Sequence, residues 1–291
     1  MAAITIARQI VTLSKPRIVA LLVFTAICGA WKASDGSPGA AELIVVIVAG
    51  ILASAGSNAI NQGLDADIDA IMKRTRQRPV PAEQMSAAVA VAVGTMLVVA
   101  AVILMGVVAN VAAASLTAAA SLVYVFIYTM ALKRRSWNNI VIGGAAGAFP
   151  PLIGAAAVTG EIDAVGVYMF AFVFFWTPPH FWTLSVLLKD DYSAANVPML
   201  AAVASLRATS VQIVLYIVLL VAMAWLPLVA GYGGVTFGGV GTILGAQWLR
   251  KSLPLFGEPT YAQTLSAYKY SLLYLAGMFL VFAAEPQLPW Y

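Results

Sequence analysis

Apolar runs long enough to cross a bilayer recur along nearly the whole chain, and no other feature limits its fold so sharply. A bilayer core is about 30 Å thick, so a spanning helix needs roughly twenty mostly apolar residues. Runs of this kind fall at 18–31, 42–61, 86–108, 111–130, 138–158, 164–187, 208–229, 232–249 and 270–284, the first and last somewhat short. In lipid every backbone polar group must pair internally, which leaves helices and closed barrels. The short alternating strands of a barrel are missing. A chain 62% hydrophobic and 10% charged also lacks the polar surface of a soluble domain. The sequence therefore predicts an all-α polytopic membrane protein, one domain over 1–291 with nine transmembrane helices. The eighth run, YGGVTFGGVGTILGAQWL, is rich in glycine, which permits close helix contacts.

Loop charge sets the orientation. With the amino terminus inside, Arg8, Lys15, Arg17, Lys73, Arg74, Arg76, Arg78, Lys133, Arg134, Arg135, Lys189, Arg207, Arg250, Lys251 and Lys269 all lie inside, and only Lys32 outside. Such a split follows the positive-inside rule and needs an odd number of spans. Positive-inside charge accounts for the basic residues without nucleic acid. The first run follows Arg8, Lys15 and Arg17 and passes into GAWKASDG without a cleavage site, so it reads as a retained span. An arginine-rich transit peptide is also missing, which favours a multi-pass protein of the bacterial or archaeal plasma membrane, with its polar loops cytoplasmic; a processed organelle protein is the alternative. His180 and Cys28 are the only residues of their types, so no disulfide within the chain and no Cys/His zinc cluster can form.

The polar chemistry gathers in three inner loops. Asn61, Asp65 and Asp69 are spaced four apart and stack on one helix face, which Asn58 extends. Two carboxylates one turn apart call for a cation between them, and hard oxygens favour Mg²⁺ shared with phosphate. The plainer alternative is a charged helix end, with Asp paired to Arg74 or Arg78. A calcium loop starting at Asp65 fails, because Ala70 and Arg76 stand where glycine and glutamate belong. Lys73, Arg74, Arg76 and Arg78 follow in the same loop, Lys133, Arg134 and Arg135 in the next, and Lys189, Asp190, Asp191 and Tyr192 in the third. Guanidinium forks suit diphosphate oxygens. Acids and bases on one rim, above apolar spans, point to a metal–diphosphate site for a lipid-like substrate.

His180 lies in TPPHFW within the sixth run, where a polar side chain is functional by default. As a neutral imidazole it would ligate a metal centre or position water as a base; a packing histidine is the alternative. Pro178–Pro179 and Pro150–Pro151 predict helix breaks that free carbonyls toward a cavity. Tyr128, Trp176, Phe181 and Trp182 would flank a ring or chain, or serve as packing.

The segment NQGLDADIDAIMKRTRQRP resembles the first Asp-rich motif of the UbiA-like intramembrane prenyltransferases. GGAAGAFPPLIG and WTPPHFW resemble the branch of that family whose acceptor is heme. The resemblance covers nearly the whole chain. It implies a helical bundle around a central cavity, and transfer of farnesyl from farnesyl diphosphate to a vinyl group of heme B with water incorporated. It further implies Asn61, Asp65 and Asp69 as Mg²⁺ ligands, with Asp191 from the second motif. Arg74, Arg78, Lys133, Arg134 and Lys189 would bind the diphosphate, and the product would pass to a heme A synthase or a terminal oxidase assembly. Two features depart from the pattern: the adjacent pair Asp190–Asp191 replaces a second spaced Asp motif, and MLAAVAS has no proline after its leucine. Two other functions fit the bare pattern: prenylation of an aromatic quinone precursor, and secondary transport. The chain has no evident internal repeat and keeps its carboxylates at one rim, which speaks against transport.

Overall fold

A computed structural model describes residues 13–285. Arg8, assigned above to the inner side, lies outside the described residues. Their regular elements are all helical, with no strand among the described residues. The long elements are α1 (Pro16–Ala33), α2 (Ala40–Leu64), α4 (Ala87–Val108), α5 (Val111–Leu122), α7 (Ala145–Thr159), α8 (Ala164–Leu187), α11 (Leu206–Met223), α13 (Val235–Ser252) and α14 (Tyr261–Ala284). Short pieces α3 (Ala66–Ile71), α6 (Asn139–Gly143), α9 (Lys189–Ala194), α10 (Leu200–Val203) and α12 (Leu226–Ala230) lie between them, and α5 runs on as a π-helix over Val123–Leu132.

Eight helices among the described residues are long and apolar enough to cross a membrane, so the chain is a multi-pass helical membrane protein. Residues such as Val107, Val229 and Ile243 face outward, as lipid-facing side chains do. The predicted eighth run forms α13 but is not among those eight. At one end of α13 the Phe237 N–H donates to Glu285 Oε1 at 3.0 Å, just past the end of α14. Beyond its other end, Ser210 Oγ, near the start of α11, donates to the Leu255 carbonyl at 2.7 Å.

Polar caps set several helix starts. Ser86, Asn110, Asp163 and Ser205 each accept a backbone N–H from the first turn. Thr260 and Gln263 form a capping box, which starts α14 nine residues before the predicted run. Lys269, expected in a loop, consequently stands within α14, where a long side chain reaches an interface along the helix.

Backbones approach closely at two seams. A Cβ on Gly154 would lie 1.9 Å from the Ala26 carbonyl oxygen, and one on Gly29 would lie 2.1 Å from that of Pro151, so α1 and α7 meet where only glycine fits. Gly56 and Gly94 bring α2 and α4 together in the same manner. The expected helix breaks at the proline pairs do not occur: α7 runs through Pro150–Pro151 and α8 through Pro178–Pro179. Each proline forfeits one backbone bond, and packing on both sides holds the helix despite the loss.

Candidate active site

The inner-rim motifs converge at one end of the bundle. Helix α2 gives way to α3 at Asp65, yet the ladder continues, with Asp65 N–H on the Asn61 carbonyl at 2.9 Å and Asp69 N–H on that of Asp65 at 2.8 Å. The four-residue spacing therefore keeps Asn61, Asp65 and Asp69 on one buried face, 3%, 1% and 1% exposed. The Asp67 side chain, out of phase, is 64% exposed. Asn61 Nδ2 donates to Asp65 Oδ2 at 2.6 Å and to Thr129 Oγ1 at 3.2 Å.

Thr129 and Lys133 reach this face because of the π-helix. The Lys133 N–H bonds the Tyr128 carbonyl five residues back at 2.8 Å, and the wider turn re-aims the side chains beyond it. Lys133 Nζ donates to Asp65 Oδ2. Arg134 grips the exposed Asp67 with both guanidinium nitrogens at 2.6 and 2.7 Å and touches Asp65 Oδ1 at 3.4 Å. Asp69 accepts from Arg78 Nη1 at 2.6 Å, so Arg78 is its partner. The Arg134 hydrogen bond holds the Asp67 carboxyl below its ordinary range.

Asp191 joins the third loop to the first. Its two carboxylate oxygens accept the backbone N–H groups of Lys73 and Arg74 at 3.4 and 3.3 Å. An open depression of about 400 Å³ lies here, lined by Lys73, Arg74, Leu187, Leu188, Asp190 and Asp191. A second, of about 410 Å³, is lined by Leu64, Asp65, Asp67, Thr129, Met130 and Arg134. Lys189 is exposed and lines neither.

The structure adds residues that the sequence left among loop charge or unremarked. Lys15, immediately before α1, donates to Asn58 Oδ1 at 2.9 Å and Asn61 Oδ1 at 3.4 Å. Burial, then repulsion from Arg78 and Lys133, pushes it well below the usual lysine range, against the opposing pull of Asp69. Tyr124 donates to Asn58 Oδ1 at 3.3 Å and stacks on Tyr128. Tyr192, buried, lies within electrostatic reach of Arg74, Tyr128, Lys133 and Arg78. Tyr192 already stood in the third polar loop; the four-residue step to Tyr128 is the signal that would have found Tyr124, and Thr129 needed knowledge of the π-turn.

Further into the bundle, His180 is buried between Trp176 and Tyr268, with ring centroids 4.4 and 4.9 Å away. Its Nδ1 lies 2.6 Å from Ser271 Oγ. Trp182 belongs instead to the core, edge-on to Tyr216.

No three His, Cys, Asp or Glu side chains gather at a metal-holding distance among the described residues. The donor chemistry nevertheless fits Mg²⁺ shared with a phosphate. Asn61, Asp65 and Asp69 present hard oxygens in a buried cluster, and Lys133 and Arg78 already place positive charge against both carboxylates. Two carboxylates suffice when substrate oxygens complete the shell.

Residues 22–283 match the model of the UbiA prenyltransferase family. The chain is 45% identical over 278 residues to protoheme IX farnesyltransferase of Thermus thermophilus, an alignment covering 96% of this chain and 46% of that protein. The chain thus spans about half the length of that relative. It is also 45% identical over 285 residues to protoheme IX farnesyltransferase of Granulibacter bethesdensis, covering 94% of this chain and 89% of that one. Among solved structures, the fold resembles a digeranylgeranylglyceryl phosphate synthase, with a TM-score of 0.78, 17% identity and coverage of 97% and 99%. It also resembles a UbiA homolog from Archaeoglobus fulgidus bound to DMAPP and Mg²⁺, with a TM-score of 0.63, 14% identity and coverage of 94% and 99%. With the family match over most of its length and helices that bring the Asp-rich motif to a basic rim, the chain belongs to the UbiA prenyltransferase family.

Proposed function

We propose that the protein transfers the farnesyl group of farnesyl diphosphate to a vinyl group of heme B, incorporating water and releasing diphosphate, so that the product is heme O. The carrying observation is the buried cluster of Asn61, Asp65 and Asp69 faced by Lys15, Arg78 and Lys133, in a chain 45% identical to two protoheme IX farnesyltransferases. Asn61, Asp65 and Asp69 hold Mg²⁺ in this reading, with Asp191 closing the site from the third loop. Bound Mg²⁺ would neutralise charge on the leaving diphosphate. Lys133, Arg78, Arg74 and Lys15 take the phosphate oxygens. Arg134 and Lys189 stand further out, Arg134 on Asp67 and Lys189 at the surface.

The chemistry then follows from charge and exclusion. The C–O bond to diphosphate breaks and its electron pair leaves with the phosphate oxygen, where the basic side chains stabilise it. The vinyl π pair attacks the allylic cation and forms the new C–C bond. Water captures the cation left beside the ring, and its proton is lost. Apolar walls must keep bulk water from the farnesyl cation, which would otherwise end as farnesol.

The same reading makes 1–291 one transmembrane domain of nine spans around a cavity, amino terminus inside, in the plasma membrane. The contacts at either end of α13, with Glu285 past one and Ser210 beside Leu255 past the other, favour its counting as a span. A heme A synthase or terminal oxidase assembly would receive the product. Diphosphate release should require heme B and Mg²⁺ and should not occur with a hydroxybenzoate-type aromatic acid; release with the aromatic acid alone would favour the quinone-precursor reading.

A further inference from the structure

His180 is the only histidine in the chain, and a hydrogen-bond chain fixes its protonation. Ser271 Oγ lies 2.6 Å from the Tyr268 carbonyl oxygen, which has no hydrogen to give, so the single serine hydrogen points there. The serine oxygen must then accept from His180, across 2.6 Å to Nδ1. The neutral ring therefore carries its hydrogen on Nδ1 and its lone pair on Nε2. No hydrogen bond to Nε2 occurs among the described residues. The same Ser271 accepts Trp176 Nε1–H on its backbone carbonyl at 2.8 Å. One fully buried residue of α14 thus holds both Trp176 and His180, one turn apart on α8. The imidazole is clamped between Trp176, inclined 20°, and Tyr268, inclined 28°.

A lone pair so directed serves a base or a metal ligand. The orienting group separates the two. A base becomes an imidazolium, and in a buried site a carboxylate on the far nitrogen is the group that stabilises such a charge. Here that nitrogen meets a neutral hydroxyl, and no carboxylate touches the ring among the described residues. Ligation needs no charge, and it gains from an N–H held by a hydrogen-bond acceptor, which orients the ring and raises its basicity. We infer that His180 Nε2 is an axial ligand to the iron of the porphyrin acceptor, with Ser271 as the positioning residue that sets its tautomer and orientation. The inference rests on the reading that the acceptor is an iron porphyrin. It assigns the sixth-span histidine to binding the acceptor and leaves the diphosphate chemistry to the rim.

The test needs no farnesyl diphosphate. Purified protein in detergent is titrated with heme B, read by Soret absorbance and electron paramagnetic resonance, and in parallel with metal-free protoporphyrin IX, read by fluorescence. The wild type should give a histidine-ligated heme spectrum. His180→Ala should lose that spectrum and weaken heme binding about tenfold or more, while porphyrin affinity holds. Added imidazole should restore the spectrum in His180→Gly, and Ser271→Ala should weaken heme binding several-fold with porphyrin affinity again unchanged. A heme spectrum unaltered in His180→Ala, or equal losses for heme and metal-free porphyrin, would overturn the inference while leaving the acceptor assignment standing. If the wild type bound neither tetrapyrrole, the acceptor assignment itself would fall and the inference with it.

Discussion

Among single residues, the proposed chemistry rests on buried polar groups with named partners. Asp65 and Asp69 each sit 1% exposed against a cation. Asp65→Asn and Asp69→Asn preserve shape and most hydrogen bonding, so folding should survive. Turnover should fall about 10²-fold or more, the scale of losing one electrostatic stabiliser of a developing charge. Retained turnover in both, with size-exclusion profiles unchanged, would contradict the role given to this cluster. Lys15 makes an opposite pair of demands. Its folded pKa lies below the unfolded value of 10.5, so the unfolded chain holds the proton longer, and stability rises with pH between the two values. Lys15→Met should flatten that alkaline rise in melting temperature. It should also raise KM for farnesyl diphosphate about tenfold or more, since a hydrogen bond to a charged group is worth roughly 1.5–3 kcal/mol. A steep alkaline rise that persists in the variant would place Lys15 elsewhere.

At the scale of elements, close backbone approach and one irregular helix do the positioning. Gly154→Ala drives a methyl group to 1.9 Å from the Ala26 carbonyl oxygen. Thermal unfolding in detergent should show a loss of about 1–3 kcal/mol, the usual cost of overpacking. Inserting one alanine between Leu132 and Lys133, where the π-helix ends, turns everything beyond it by about 100°. Activity should vanish with helix content intact, because Lys133 would leave Asp65. Helix existence was legible in advance, since apolar length alone dictates it, and so was the shared face of Asn61, Asp65 and Asp69, because a four-residue spacing survives a change of helix at Asp65. The π-turn was not legible: Val123–Leu132 reads as any apolar run, and the placement of Thr129 and Lys133 depends on the lengthened hydrogen-bond steps of the π-helix. The proline pairs misled for a related reason. Local chemistry forbids a backbone bond at Pro178 and Pro179, but neighbouring helices decide whether the helix ends there. Lys15 was hidden because its charge had a sufficient explanation in topology, and Ser271 because its partner lies ninety-one residues away.

At the scale of the whole molecule, the arrangement of spans and the reaction are one question, since the rim must face the side where both substrates meet it. In a Cys28→Ala background, cysteines placed at Gln77 and Glu258 should react with an impermeant reagent from the same side, and one at Ser37 from the other. If Glu258 labelled with Ser37, then Val235–Ser252 would not cross, and the nine-span arrangement would be wrong. Farnesyl transfer to heme is read at the product. Purified protein is incubated with farnesyl diphosphate, Mg²⁺ and heme B, and the extracted heme is weighed by mass spectrometry. The proposed reaction yields a heme heavier by one farnesyl group and one hydroxyl, absent when the metal is chelated and absent in Asp65→Asn. Heme B recovered unchanged from folded protein would contradict it.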